Sequence, residues 1–340
     1  MLAGMALKWR WRKRRGLSPN DAQRPNLVMG TNVQVCWDKF CRYWDVEPRL
    51  VPMVEGRLHL GAEEAVAKCD ENTIGVVAVL GSTQDGSYEP VADIAAALDR
   101  LHEGGGPDVP LHVDAASGGF IAPFLDKDLK WDFRVERVAS INSSGHKFGL
   151  VYPGVGGVIW RNEHALPEDL VFNVNYLGGN MPTFALNFSR PGAQVVAQYF
   201  QLIRLGFNGY QAVQQASRDV AHFVAEGIDG LDEYKVLTDG SELPVVCFTL
   251  TDGTSAKGIA KKGYSVYDVS DGLRRRGWQV PAYSFPADLE DTSVMRVVAR
   301  NGFNRNMAQL LLDDLKRETA ELNKYGTSRP VEPERQHFHH

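Results

Sequence analysis

Short runs in which almost every position is apolar alternate along the chain with stretches whose apolar residues recur every three or four positions. Residues 26–30, 49–53, 73–81, 111–114, 138–143 and 155–160 are of the first kind, and runs of that length predict strands buried on both faces. Val91, Ile94, Leu98 and Leu101 mark an amphipathic helix between two of them. The first fifteen residues are good helix formers that stop at Gly16, and no capping residue precedes them, as expected of a chain that opens mid-domain. Buried strands separated by amphipathic helices predict an α/β fold with a mainly parallel sheet and helices on both faces. Ligands of such sheets sit at the carboxyl ends of the strands.

After Pro191 the apolar residues Val195, Tyr199, Leu202 and Ile203 keep helical spacing and predict a long connecting helix. Beyond it lie a strand at 245–250, a helix carrying Val266, Val269 and Leu273, and a strand at 294–298, enough for a smaller C-terminal α/β domain. The expected division is a large domain over 1–216, a small one over 217–323, and a flexible tail over 324–340, where Pro, Glu and Arg replace any apolar periodicity.

Composition narrows the function. The chain has 340 residues, 44% hydrophobic and 23% charged, which is ordinary for a soluble globular protein. A net charge of -5 argues against nucleic-acid binding, which needs a positive surface. The basic run from Lys8 to Arg15 reads as a solvated helix face. No run approaches the length of a membrane span, and the opening residues have the wrong order for a secretory signal. Four cysteines without CxxC spacing predict a reducing, cytoplasmic setting and no metal site.

Two segments carry candidate chemistry. Residues 111–120 run from apolar positions into one carboxylate, Asp114, and then into small residues that leave room for a flat ligand. Read alone, Asp114 serves equally well as a cap for the turn that follows. Residues 140–149 end another apolar run in hydroxyls, a glycine, His146 and Lys147. An isolated lysine there is more simply a surface side chain. Desolvated past a buried strand, however, its amine would be held neutral and would condense with an aldehyde. Asp114 and Lys147 lie 33 residues apart, about one strand-to-strand unit, which brings both to the same rim. A carboxylate for a ring nitrogen and an amine for an aldehyde are what pyridoxal 5'-phosphate requires.

The motifs HVDAASGGF, WDFR (131–134), SSGHKFGL (143–150), VFNVNYLGG (171–179), FALNFSRPGAQV (184–195) and RRRGWQVPAY (274–283) together resemble the glutamate decarboxylases, group II pyridoxal-phosphate-dependent decarboxylases. The likeness runs from Met1 almost to the tail. It implies a fold-type-I transferase-like architecture and conversion of L-glutamate to 4-aminobutanoate and carbon dioxide. By the same resemblance Lys147 joins the cofactor aldehyde, His146 neighbours the cofactor, and Asp114 pairs with the ring nitrogen. Ala116 packs under the ring, Gln34 lies over its other face, and Thr83 bonds near the cofactor and the reacting carboxylate. Ser144 binds phosphate, Ser189 reaches the phosphate of a neighbouring subunit, and Arg296 pairs with a substrate carboxylate. Read from residues alone, Gln34 and Thr83 are equally well satisfied polar groups at strand ends, and Arg296 fits a solvated strand face. The resemblance further implies a homo-oligomer whose subunits share active sites.

Members of that family extend well before the position matching Met1, with an assembly arm, groups for the side-chain carboxylate of the substrate and a serine loop for the cofactor phosphate. Without these, weak cofactor binding is expected. The alternatives to a glutamate decarboxylase are a decarboxylase or lyase for another amino acid and a catalytically incompetent truncated homologue. His337, His339 and His340 read either as a pH-sensitive closing element or as part of the disordered tail.

Overall fold

The computed structural model describes residues 1–18, 21, 24–176, 178–251 and 263–327. His337, His339 and His340 lie outside the described residues. The chain divides into two compact units. One comprises Met1–Val51, Leu60–Leu80 and Glu89–Gly206, the other Pro52–His59, Gly81–Tyr88 and the chain from Phe207 onward.

The first unit is built on six strands: β1 (Asn26–Gly30), β2 (Glu47–Val51), β3 (Thr73–Val79), β4 (Leu111–Asp114), β5 (Val138–Ser144) and β6 (Gly156–Trp160), in the order β2-β1-β3-β4-β5-β6. All neighbours pair in parallel except β5 and β6. Every residue of β1, β3 and β4 is buried, as expected of central strands in a parallel sheet covered on both faces. The strand expected at 49–53 is shifted to 47–51. Pro48 is tolerated there because β2 is an edge strand, and Pro52 follows its last residue. The expected helices form at Leu2–Arg14 and Val91–Glu103.

A buried carboxylate ties this unit together ahead of the site. Glu89 accepts hydrogen bonds from the Asn32 side chain (2.9 Å), the Leu60 N–H (2.9 Å) and the Val79 N–H (2.6 Å). It therefore joins the loop after β1, the start of the helix Ala62–Ala67 and the end of β3.

The helix expected after Pro191 runs from Ala193 to Asp229 and is broken at Gly206, whose φ of 55° and ψ of -165° only glycine adopts readily. Its first half departs from the usual meaning of apolar spacing. Val195, Val196, Tyr199, Phe200 and Ile203 are each more than half exposed. A short hairpin, β7 (Phe172–Val174) with β8 (Met181–Thr183), is exposed as well.

The second unit holds an antiparallel sheet of β9 (Tyr234–Asp239), β10 (Val245–Leu250), β11 (Ala282–Ser284) and β12 (Ser293–Val298), ordered β11-β12-β10-β9. Strand alternation sorts its core. Val246, Phe248 and Leu250 pack with Val266, Val269, Leu273, Leu311 and Leu315 from the helices Val266–Arg275 and Arg305–Tyr325. Cys247 packs on the other face with Met53, Phe285 and Val294. Composition assigned Lys324 and Tyr325 to the tail, but they close the last helix.

Replacing Glu89 by Ala leaves the Leu60 and Val79 N–H groups buried without their acceptor. The expected loss is roughly 3 kcal/mol, since each orphaned buried donor costs about 1–3 kcal/mol. Urea unfolding of wild type and variant measures it; equal midpoints would contradict the role of the clamp.

Candidate active site

The parallel strands β4 and β5 end side by side, with Asp114 in register with Asn142 and His112 in register with Ser140. Residues two apart on a strand share a face, so these four polar side chains form one patch at the carboxyl end of a sheet that is otherwise apolar. Asp114, 6% exposed, is held by three N–H donors. Its Oδ1 accepts from Asn142 Nδ2 (2.8 Å) and from the Ala116 N–H (3.1 Å), and its Oδ2 accepts from Trp37 Nε1 (2.7 Å). A carboxylate has about four acceptor positions, so one on Oδ2 remains for a further N–H. A protonated pyridine nitrogen is such a donor, and the site fits a pyridoxal ring on this count.

Behind Asp114, His112 is fully buried. Its Nε2 lies 2.7 Å from Asn142 Oδ1 and its Nδ1 2.8 Å from Ser140 Oγ. Burial pushes its pKa down to about 4, although the nearby charge of Asp114 pulls the other way. The ring is therefore neutral at neutral pH. Trp37 sits tilted against it, with ring centroids 5.2 Å apart.

The small residues after Asp114 have a structural reason besides leaving room. Gly118 donates its N–H to the Leu80 carbonyl at 2.9 Å, and a Cβ on Gly118 would lie 2.5 Å from that oxygen. Only glycine lets the turn after β4 lie this close to the end of β3. Lys147, three residues past β5, donates from Nζ to Ser117 Oγ at 3.1 Å, so the expected lysine and the expected carboxylate occupy adjacent loops of one rim. As a residue Lys147 is exposed.

Ala116 is half-buried beside Asp114, and its carbonyl accepts from the Ser144 N–H at 3.2 Å, which brings Ser144 to the same rim. His146 is exposed, with Nδ1 3.3 Å from the Val155 carbonyl. Gln34 is exposed, and its Oε1 accepts from the Cys36 N–H at 2.7 Å, at the start of the helix Cys36–Tyr43. Ser189 lies in an exposed bend with φ of 28°. Thr83 and Arg296 belong to the second unit, where Arg296 donates from Nη1 to the Thr83 carbonyl. Arg296 Nε is buried with no partner among the described residues.

Cys36 lies near both Asp114 and Lys147. Its thiol is pushed up to about 11, chiefly by burial and then by the charge of Asp114, so it is not a nucleophile near neutral pH. Sequence reasoning missed Trp37, His112, Asn142 and Ser117. The first three hold Asp114 directly or through one another, and Ser117 receives the lysine. The available signal was the polar residue at every second position in LHVD and in ASIN, against the apolar character of the other buried strands.

The buried histidine gives a pH prediction. Because His112 binds a proton less tightly folded than unfolded, the unfolded chain takes up the extra proton between its ordinary value of 6.5 and about 4. Stability should therefore fall as pH drops through that interval. Denaturant midpoints measured across it are expected to fall less steeply in His112→Asn, which has no imidazole to protonate. Parallel curves would contradict a buried neutral histidine.

The pyridoxal-dependent decarboxylase conserved domain matches residues 1–251. The chain is similar to the glutamate decarboxylase of Aliivibrio fischeri, with 52% identity over 317 residues covering 93% of this chain and 67% of that protein. It is similar also to glutamate decarboxylase beta of Listeria innocua, 44% identical over 325 residues, 95% of this chain and 69% of that one. Among solved structures, Lactobacillus brevis glutamate decarboxylase superposes with a TM-score of 0.88 at 43% identity, covering 95% of this chain and 72% of its own. With a domain match over most of its length and relatives this close over two thirds of theirs, the chain belongs to the pyridoxal-dependent decarboxylase family.

Proposed function

We propose that this chain removes the α-carboxylate of L-glutamate with pyridoxal phosphate, giving 4-aminobutanoate and carbon dioxide. The observation that carries the reading is Asp114, a nearly buried carboxylate with one acceptor position left, on the same rim as Lys147. The identity to glutamate decarboxylases supports the choice of substrate.

When bound, the cofactor supplies an electron sink for the pair left behind as the carboxylate departs. Asp114 keeps the ring nitrogen protonated, because its charge favours the cationic form and each pKa unit is worth about 1.4 kcal/mol. Lys147 supplies the amine that holds the aldehyde, and Ser117 positions that amine by accepting its hydrogen bond. Ala116, small and half-buried, leaves space beneath a flat ring, while Gln34 covers its other face and His146 stands beside the lysine. Ser144 and, from a neighbouring subunit, Ser189 bind phosphate.

Thr83 and Arg296 hold the reacting carboxylate. The contact of Nη1 with the Thr83 carbonyl fixes the guanidinium, and the Nε of Arg296 lies on the forked edge that suits a carboxylate. The exposed apolar side chains from Val195 to Ile203 support a homo-oligomer, since patches of this kind are normally covered in an assembled protein. Among the described residues no helix is long and apolar enough to cross a membrane, and all four cysteines are free, which supports a cytoplasmic setting.

The test is release of labelled carbon dioxide from carboxyl-labelled L-glutamate by the chain supplied with pyridoxal phosphate, together with borohydride trapping. Lys147→Ala is expected to lose the trapped cofactor. Asp114→Asn is expected to keep it and to lose turnover by on the order of a hundredfold or more, equivalent to a shift of two pKa units. Turnover of Asp114→Asn equal to wild type would overturn the role given to the carboxylate.

A further inference from the structure

The hydrogen-bond directions behind Asp114 are fixed by what each group is able to do. An ionised carboxylate only accepts, so the Asn142 atom facing Asp114 Oδ1 is the amide nitrogen, at 2.8 Å. The Asn142 amide oxygen therefore faces His112 Nε2, at 2.7 Å, and that ring nitrogen carries the proton. His112 Nδ1 is then bare and accepts from the Ser140 hydroxyl at 2.8 Å. The result is a one-way chain in which Ser140 donates to His112, His112 to Asn142, and Asn142 to Asp114. His112 is 0% exposed and Ser140 1%, so water does not compete for these bonds.

We propose that His112 and Asn142 are positioning residues of the decarboxylase site, acting through this chain to hold Asp114 turned so that Oδ2 faces the ring nitrogen. The inference rests on the role given to Asp114 above. A simple packing role does not explain the arrangement, since an apolar pair of similar size would fill the same space without two buried polar groups to satisfy. A neutral histidine with its proton on Nε2 is the form the chain requires. An imidazole with its proton on Nδ1 would turn the Asn142 amide around and set its oxygen against the carboxylate of Asp114.

The first measurement uses the chain without cofactor, labelled with 15N in its histidine rings, with His112 assigned by its loss in His112→Asn. A bare Nδ1 and a protonated Nε2 are expected at neutral pH. A proton on Nδ1, or a charged ring, would overturn the proposal, and the protonation state is read on the wild-type chain, the variant serving only to assign the signal. The second measurement uses the loaded enzyme. Asn142→Asp sets an acceptor in place of the donor, so that two carboxylates face each other and share a proton. Asn142→Ala removes the donor altogether. Both are expected to lower kcat about tenfold to a hundredfold, the usual range for loss of an outer support, with KM for glutamate changed less than about threefold and the circular dichroism unchanged. A kcat within about twofold of wild type in both would overturn the proposal. Failure of the decarboxylase reading itself is recognised separately, by the absence of labelled carbon dioxide release from glutamate by the loaded wild-type chain, and leaves the histidine measurement unaffected.

Discussion

The site depends on keeping one negative charge at the end of a buried sheet. A carboxylate taken out of water costs several kcal/mol unless its oxygens find donors, and Asp114 finds three, from a tryptophan, an asparagine and a backbone N–H. Each donor places a demand on the fold. Asn142 reaches it only because β4 and β5 pair in parallel with these two residues in register. The Ala116 N–H reaches it because the chain turns at once after β4, and that turn closes only with glycine at 118. Trp37 reaches it from the helix after β1, where it also packs on His112. The carboxylate is thus the point where three separate segments are tied.

Much of the frame was legible in the sequence because burial on both faces of a parallel sheet produces unmistakable apolar runs. The limits of β1, β4 and β10 agree with the sequence reading to the residue. Asp114 and Lys147 were visible because charge at the end of an apolar run is conspicuous. The supports of Asp114 were not, because a buried histidine or asparagine on a strand looks in sequence like an isolated irregularity. Its meaning appears only when the partner strand is known, since Asn142 gains its role from register with Asp114. The exposure of Val195, Tyr199 and Ile203 was equally hidden, as helical spacing states that a face is apolar but not what covers it.

The second unit adds a different kind of order. Three consecutive carbonyls, of Thr83, Gln84 and Asp85, each accept from a side chain of the antiparallel sheet: Arg296, Tyr283 and Thr238 in turn. Thr83 therefore travels with Arg296 in one body, although chain order sets it between β3 and the helix Val91–Glu103. Two groups proposed for the same carboxylate are built as a unit. Burial raises the pKa of the Tyr283 phenol well above its ordinary value, so it remains a donor to Gln84 throughout the working range.

The central claim is that Asp114 holds the cofactor ring nitrogen protonated. The most direct measurement is the 15N chemical shift of pyridoxal phosphate labelled at that nitrogen and bound to the wild-type chain, followed from about pH 5 to about pH 8. A shift typical of the protonated ring across the whole range is the result expected. A shift typical of the bare nitrogen at neutral pH would contradict the account, because the carboxylate would then be holding nothing.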